Sequence, residues 1–124
     1  MPTVLIVEDE EHIRDLVTIN LNKRGYQTLE AGNVQDGLDL LNRNRPDLLI
    51  LDIRMPDASG WDLLRMIDSK QCLAKVPVVI MTASTLKMGN EYLYSNVVGK
   101  LIKPFTIAEL VQMIGTSLEQ RSAG

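Results

Sequence analysis

The chain has 124 residues, a length typical of one domain that buries a hydrophobic core. Apolar residues make up 45% of the sequence, which excludes an extended, disordered chain. The net charge of −3 comes without a cluster of lysines and arginines, so we expect no direct contact with nucleic acid.

Short apolar runs and amphipathic segments alternate along the chain. A continuous apolar run of four or five residues is typical of a strand that is buried on both faces. Apolar residues spaced three and four apart predict helices that bury one side. The predicted strands are Val4–Val7, Gln27–Ala31, Leu48–Leu51, Val78–Met81 and Val97–Ile102. The predicted helices cover Glu11–Arg24, the segment from the cap Asn33 to about Asn42, a segment that includes Leu63–Ile67, and a segment from Thr106 through Leu118.

Several of these helices carry end signals. Gly25 predicts the end of the first helix, and Asn33 predicts the N-cap of the second. Thr106 and Glu109 form the T-x-x-E pattern of a capping box before the last helix. The least regular segment is Ser84–Asn96, where we also expect a helix. Five alternations of strand and helix favour an α/β fold with a parallel sheet and helices on both faces.

Polar side chains stand at the ends of four of the predicted strands. Glu8 and Asp9 follow the first strand, Asp52 follows the third, Thr82 follows the fourth and Lys103 follows the fifth. Because binding sites of such sheets form beyond the carboxyl ends of the strands, we expect these residues to share one edge.

The chemistry of this set of side chains suits phosphoryl transfer. Carboxylates that lie close together repel one another unless a cation neutralises them, and hard oxygen ligands suit Mg²⁺. An aspartate such as Asp52 can act as a nucleophile toward phosphorus. Lys103 can supply a positive charge and Thr82 a hydroxyl hydrogen bond to a transferring phosphoryl group.

Four motifs in order, VLIVEDE, LLILDIRMPDASG, VIMTA and KPF, resemble the receiver domain of two-component response regulators. The resemblance covers nearly the whole chain, so we expect a single receiver domain over residues 1–124, with no output domain. It implies a flavodoxin-like, doubly wound sheet of five parallel strands in the order 2-1-3-4-5.

The resemblance also implies the roles of the site residues. Asp52 matches the acceptor of a phosphoryl group from a sensor histidine kinase or phosphotransfer protein, with Mg²⁺ as cofactor. Thr82 and Lys103 match the residues that contact the phosphoryl oxygens, and Asp9 matches the direct metal ligand. The complete set that matches the metal ligands is Glu8, Asp9, Asp52 and the main-chain carbonyl of Arg54.

The sequence departs from the family pattern in three places. Position 8 holds Glu where Asp is commoner, which allows contact with the metal through water. The Ala-Gly-Ala pattern usual before the fifth strand is missing, and the spacing from Thr82 to Lys103 is short. Lys100 occupies the place of the usual aromatic switch residue. We therefore expect phosphorylation to shift the Thr82–Met88 segment more than the fifth strand, without driving a strong dimer.

Three other functions are compatible with parts of this pattern: a flavin-binding module, a phosphatase with an aspartate nucleophile, and a receiver-like scaffold that is never phosphorylated. The acidic residues after the first strand disfavour the flavin, and Arg54 disfavours the phosphatase, which has an acid at that place. Downstream, we expect a protein target or a missing output domain, and at most slow autodephosphorylation. A single cysteine and a start without signal-peptide or membrane-span features predict a cytoplasmic location and no contact with a membrane.

Overall fold

The computed structural model describes residues 2–53, 60–69, 76–83 and 96–123. Within these residues, five parallel strands form one sheet in the order β2-β1-β3-β4-β5. This confirms the flavodoxin-like, doubly wound order. The strands are β1 Thr3–Val7, β2 Gln27–Ala31, β3 Leu48–Asp52, β4 Val78–Thr82 and β5 Val97–Ile102, and the helices are α1 Glu11–Lys23, α2 Val34–Asn44, α3 Gly60–Asp68 and α4 Ile107–Ala123.

Two hydrophobic cores lie on opposite faces of the sheet. On one face, α1 and α4 bury apolar residues against the strands, and on the other face α2 and α3 do the same. Every residue of β3 is buried, including Asp52, whereas β2 at the edge of the sheet is largely half-exposed. A strand covered on both faces requires an unbroken apolar run, which explains why the alternating pattern of a half-exposed strand is absent from β1 and β3.

The predicted signals at the helix ends are confirmed, although α1 ends one residue earlier than predicted, at Lys23, and α2 continues to Asn44. Gly25 follows α1 with a φ of 89°, a left-handed conformation that glycine adopts without strain. The side chain of Asn33 accepts a hydrogen bond from the main-chain N–H of Asp36 at 2.8 Å, as an N-cap does. At α4, Thr106 and Glu109 exchange two hydrogen bonds of 3.0 Å between side chains and main chains, which is the geometry of a capping box.

The boundaries differ from the predictions by a few residues. Strands β3 and β4 each extend one residue further than predicted, to Asp52 and Thr82, because main-chain pairing continues past the last apolar residue. The helix predicted within Ser84–Asn96 lies outside the described residues except for Asn96, whose buried amide donates to the carbonyl of Val76 at 3.1 Å. Among the described helices, none is both long and apolar enough to pass through a membrane.

Candidate functional site

The carboxyl ends of β1, β3, β4 and β5 bring the predicted site residues to one edge of the sheet. Glu8 and Asp9 follow β1, Asp52 is the last residue of β3, and Thr82 is the last residue of β4. The main-chain N–H of Lys103 donates to the carbonyl of Thr82 at 2.8 Å, which fixes Lys103 directly after β5. These strands are paired in one parallel sheet, so the site residues are held on regular secondary structure rather than on long loops.

Glu8, Asp9 and Asp52 form an acidic cluster in which one oxygen of each residue lies within 4.8 Å of the others. Glu8 is fully buried, Asp52 is 3% exposed and Asp9 is partly exposed. The ammonium of Lys103 donates to Glu8 Oε1 at 2.7 Å and to Asp52 Oδ2 at 3.3 Å. One lysine thus bridges the two buried carboxylates of the cluster.

The electrostatics of the acidic cluster are dominated by burial. Burial raises the pKa of Glu8 from its usual 4.5 to about 7, because it penalises the charged carboxylate. The hydrogen bond from Lys103 opposes this rise, and the nearby carboxyl group of Asp52 adds to it. Burial alone would lower the pKa of Lys103, but the bond to Glu8 and the charge of Asp52 outweigh it and raise that pKa above 10.5. Lys103 therefore stays positively charged at this edge of the sheet, whereas the carboxyl group of Glu8 ionises near neutral pH.

The donor set fits a magnesium ion. Three carboxylates and one ammonium leave two net negative charges when all are ionised, and a divalent cation neutralises that excess. Carboxylate oxygens are the hard ligands that Mg²⁺ takes, usually with several waters. Both oxygens of Glu8 already accept hydrogen bonds, one from Lys103 and one from the main-chain N–H of Glu10 at 3.1 Å. Both carboxylate oxygens of Glu8 are thus already engaged by hydrogen bonds within the protein.

Thr82 and Arg54 are the two remaining residues that the sequence predicts for the site. Thr82 is partly buried at the end of β4, on the same edge as the acidic cluster. The main-chain carbonyl of Arg54 was predicted as a metal ligand, and this residue lies outside the described residues.

Sequence reasoning missed two residues that shape the site. The guanidinium of Arg14 donates to the main-chain carbonyl of Glu8 at 2.8 Å, and it lies 3.5 Å from a carboxylate oxygen of Glu30. Gly60 opens α3 so close to β3 that an added Cβ would lie 2.6 Å from the carbonyl oxygen of Asp52. A helical arginine is common in any sequence, and although Gly60 ends the LLILDIRMPDASG motif, residue types alone do not show how closely it approaches β3.

A family model described as response regulator receiver domain matches residues 4–115 of this chain. The chain belongs to this family. The receiver domain is 35% identical to the sporulation initiation phosphotransferase F of Bacillus subtilis, over 96% of this chain and 95% of that protein. It is 31% identical to the phosphate regulon transcriptional regulatory protein PhoB of Pseudomonas aeruginosa over 98% of this chain, but it spans only 54% of that protein.

Solved structures agree with this assignment. The N-terminal domain of a response regulator receiver protein from Methanoculleus marisnigri is similar to this domain with a TM-score of 0.78 and 30% identity, over 94% of this chain and 95% of that chain. Receiver domains are phosphorylation-dependent switches of two-component signal transduction, and this chain is such a switch. Receiver domains of response regulators are signalling switches and are generally not enzymes.

Proposed function

We propose that Asp52 is the phosphoacceptor of this receiver domain. The observation that supports this most is the pairing of a buried strand-end carboxylate with a permanent cation, since Lys103 Nζ lies 3.3 Å from Asp52 Oδ2. In the transfer, an oxygen of Asp52 forms a bond to phosphorus while the phosphorus–nitrogen bond of a donor phosphohistidine breaks. The electron pair of that bond stays with the imidazole, and the product is an aspartyl phosphate.

The neighbours of Asp52 have separate tasks in this proposal. Asp9 and Asp52, with the carbonyl of Arg54 implied by the family resemblance, hold Mg²⁺, and Glu8 stays in hydrogen bonds beside it. When bound, the ion supplies positive charge that offsets the negative charge on the oxygens of the transferring phosphoryl group. Lys103 already lies between two carboxylates, so a short movement of its ammonium brings it to a phosphoryl oxygen. Thr82 offers a hydroxyl from the adjacent strand end.

The donor is a sensor histidine kinase or a phosphotransfer protein, and we infer that it docks beside Lys103. An apolar groove of about 380 Å³ borders this lysine. Leu16 on one side of the groove is 42% exposed, and nearby on α1 Ile19 is 53% exposed. A protein that delivers a phosphoryl group to Asp52 contacts this groove, and burying the apolar side chains of the groove supplies binding energy. The groove is lined by Ile13, Leu16, Ala83, Lys103, Pro104 and Phe105.

A substitution in this groove separates docking from chemistry. Leu16→Gln is expected to slow transfer from a phosphorylated histidine phosphotransfer domain and to leave labelling by acetyl phosphate unchanged. Equal slowing with both donors would contradict the docking assignment, because a small donor needs no protein surface.

We propose three further properties of the domain. The domain removes its own phosphoryl group slowly at most and passes its signal to a protein target or to an output domain in the same protein. The single cysteine of the sequence supports a cytoplasmic location for these steps.

Intact-mass measurement after incubation with acetyl phosphate and Mg²⁺ tests the acceptor. The unchanged domain should gain one phosphoryl group, and Asp52→Asn should gain none, because an amide is a poor nucleophile. Asp39→Asn is the matched control, since Asp39 is an exposed aspartate on α2 and its loss should leave labelling intact. Labelling of Asp52→Asn to the same extent as the unchanged domain would show that another residue is the acceptor.

A further inference from the structure

Arg14 connects three parts of the fold at the acidic cluster. It belongs to α1, and its Nη1 donates to the main-chain carbonyl of Glu8 at 2.8 Å. Its Nε lies 3.5 Å from a carboxylate oxygen of Glu30, the next-to-last residue of β2. Arg14 therefore joins the segment that follows β1 to the neighbouring strand and to the helix that comes next.

The surroundings of Arg14 hold its guanidinium in place. The side chain of Arg14 is 20% exposed, half the exposure of its partner Glu30 at 40%. A Cβ added to Gly32 would lie 3.2 Å from Arg14 Nη1, tighter than ordinary van der Waals contact. The lack of a side chain at Gly32 thus leaves the space in which the guanidinium lies.

The carbonyl that Arg14 holds belongs to the peptide that joins Glu8 to Asp9, two residues of the acidic cluster. The carbonyl of Glu8 and the N–H of Asp9 belong to one planar peptide group, so holding the first fixes the orientation of the second. Glu8 is fixed at its other polar atoms by the carbonyl of Ala31, by Lys103 and by the N–H of Glu10. Arg14 is the contact that sets the peptide plane leading to Asp9.

We propose that Arg14 is a positioning residue for the metal site, which holds the Glu8–Asp9 peptide so that the carboxylate of Asp9 faces Asp52. This inference rests on the proposed function, because it assumes that Asp9 and Asp52 take up Mg²⁺. Residues that hold a metal ligand in position without contacting the metal themselves contribute to metal affinity. Losing one typically weakens metal binding about tenfold or more. Loss of an exposed ion pair alone would leave the metal affinity nearly unchanged.

Calorimetric titration of the phosphate-free domain with MgCl₂ tests the proposal. Arg14→Met keeps most of the side-chain stem and removes the donor, and we expect it to bind Mg²⁺ about tenfold more weakly. Glu30→Gln is the matched control, because it removes the ion pair but keeps the Arg14–Glu8 hydrogen bond. Its affinity should stay within about twofold of the unchanged domain, as expected for the loss of a surface ion pair. Gly32→Val crowds the guanidinium without removing it, and it should weaken Mg²⁺ binding in the same direction.

A second readout separates positioning from folding. At saturating Mg²⁺, Arg14→Met should be labelled by acetyl phosphate to the same extent as the unchanged domain, with only its Mg²⁺ requirement raised. Equal Mg²⁺ affinities of Arg14→Met and the unchanged domain would overturn the positioning role and leave the metal site standing. Failure of the unchanged domain to bind Mg²⁺ would overturn the metal site and the positioning role together.

Discussion

Glu8 is expected to make the stability of the receiver domain fall as the pH rises toward neutrality. Burial raises the pKa of Glu8 from 4.5 to about 7 in the folded domain. In the unfolded chain the same carboxyl group is exposed and ionises near its usual value. Between these two values the folded state binds a proton that the unfolded state has released, so stability decreases as pH increases.

The size of this effect follows from the distance between the two pKa values. Each pH unit between them corresponds to about 1.4 kcal/mol, so the interval from 4.5 to about 7 amounts to about 3 kcal/mol. Stability from this group is fully present below pH 4.5 and is lost by the time the pH has passed about 7. The amide of the Glu8→Gln variant cannot ionise, so this variant does not lose stability in this way as the pH rises. Any constant cost of placing an amide beside Lys103 is the same at each pH.

Urea unfolding at pH 5, 6, 7 and 8 in the presence of EDTA measures the effect. The free energy of unfolding of Glu8→Gln minus that of the unchanged domain should rise by about 2 to 3 kcal/mol from pH 5 to pH 8. Glu10→Gln removes an exposed carboxylate from the same segment, and its difference should stay within about 0.5 kcal/mol across the range. A difference for Glu8→Gln that is as flat as that of Glu10→Gln would refute the assignment of a raised pKa to buried Glu8.

Gly60→Ala should lower the free energy of unfolding by about 2 kcal/mol or more in urea unfolding, because an added Cβ would lie 2.6 Å from the main chain of Asp52. Gly115→Ala, in α4 with nothing within 4 Å of its added Cβ, should instead stabilise by about 0.5 to 1 kcal/mol, and similar losses at both sites would contradict the packing argument. With beryllofluoride as a phosphoryl mimic, chemical shifts should change more in Thr82–Met88 than in β5, where Lys100 stands, and sedimentation should show no tight dimer. A large inward movement of Lys100, or a tight dimer induced by the mimic, would be the contrary result.

The sequence predicts the edge on which the site lies because strand ends in a parallel sheet share one side. The position of Glu8, Asp52 and Lys103 therefore follows from chain order and from the fold class alone. The apolar runs also predict β1, β3 and β4 to within one residue, since the inner residues of a strand buried on both faces are apolar. The predicted bounds of β2 and β5, Gln27–Ala31 and Val97–Ile102, match the structure.

Side-chain pairing within the site could not be predicted. The sequence suggests Glu8 as part of the metal-binding pair, and the structure shows its two oxygens bonded to Lys103 and to the N–H of Glu10. That arrangement depends on the length of a glutamate side chain and on the path of the segment after β1. The contact of Arg14 with a main-chain carbonyl depends on the same path, which a pattern of residue types does not specify.

The fixed main chain on both sides of Lys103 has a consequence for how its ammonium moves. Before it, the N–H of Lys103 is bonded to the carbonyl of Thr82, and after it the capping box of Thr106 and Glu109 starts α4 within three residues. The main chain of Lys103 is thus held by hydrogen bonds on both sides, and its ammonium moves between partners by rotation about side-chain bonds. Such rotations involve the side chain alone, unlike the microsecond to millisecond movements of loops and domains. Movement of Lys103 from Glu8 to a phosphoryl oxygen therefore requires no rearrangement of the main chain at Lys103 itself.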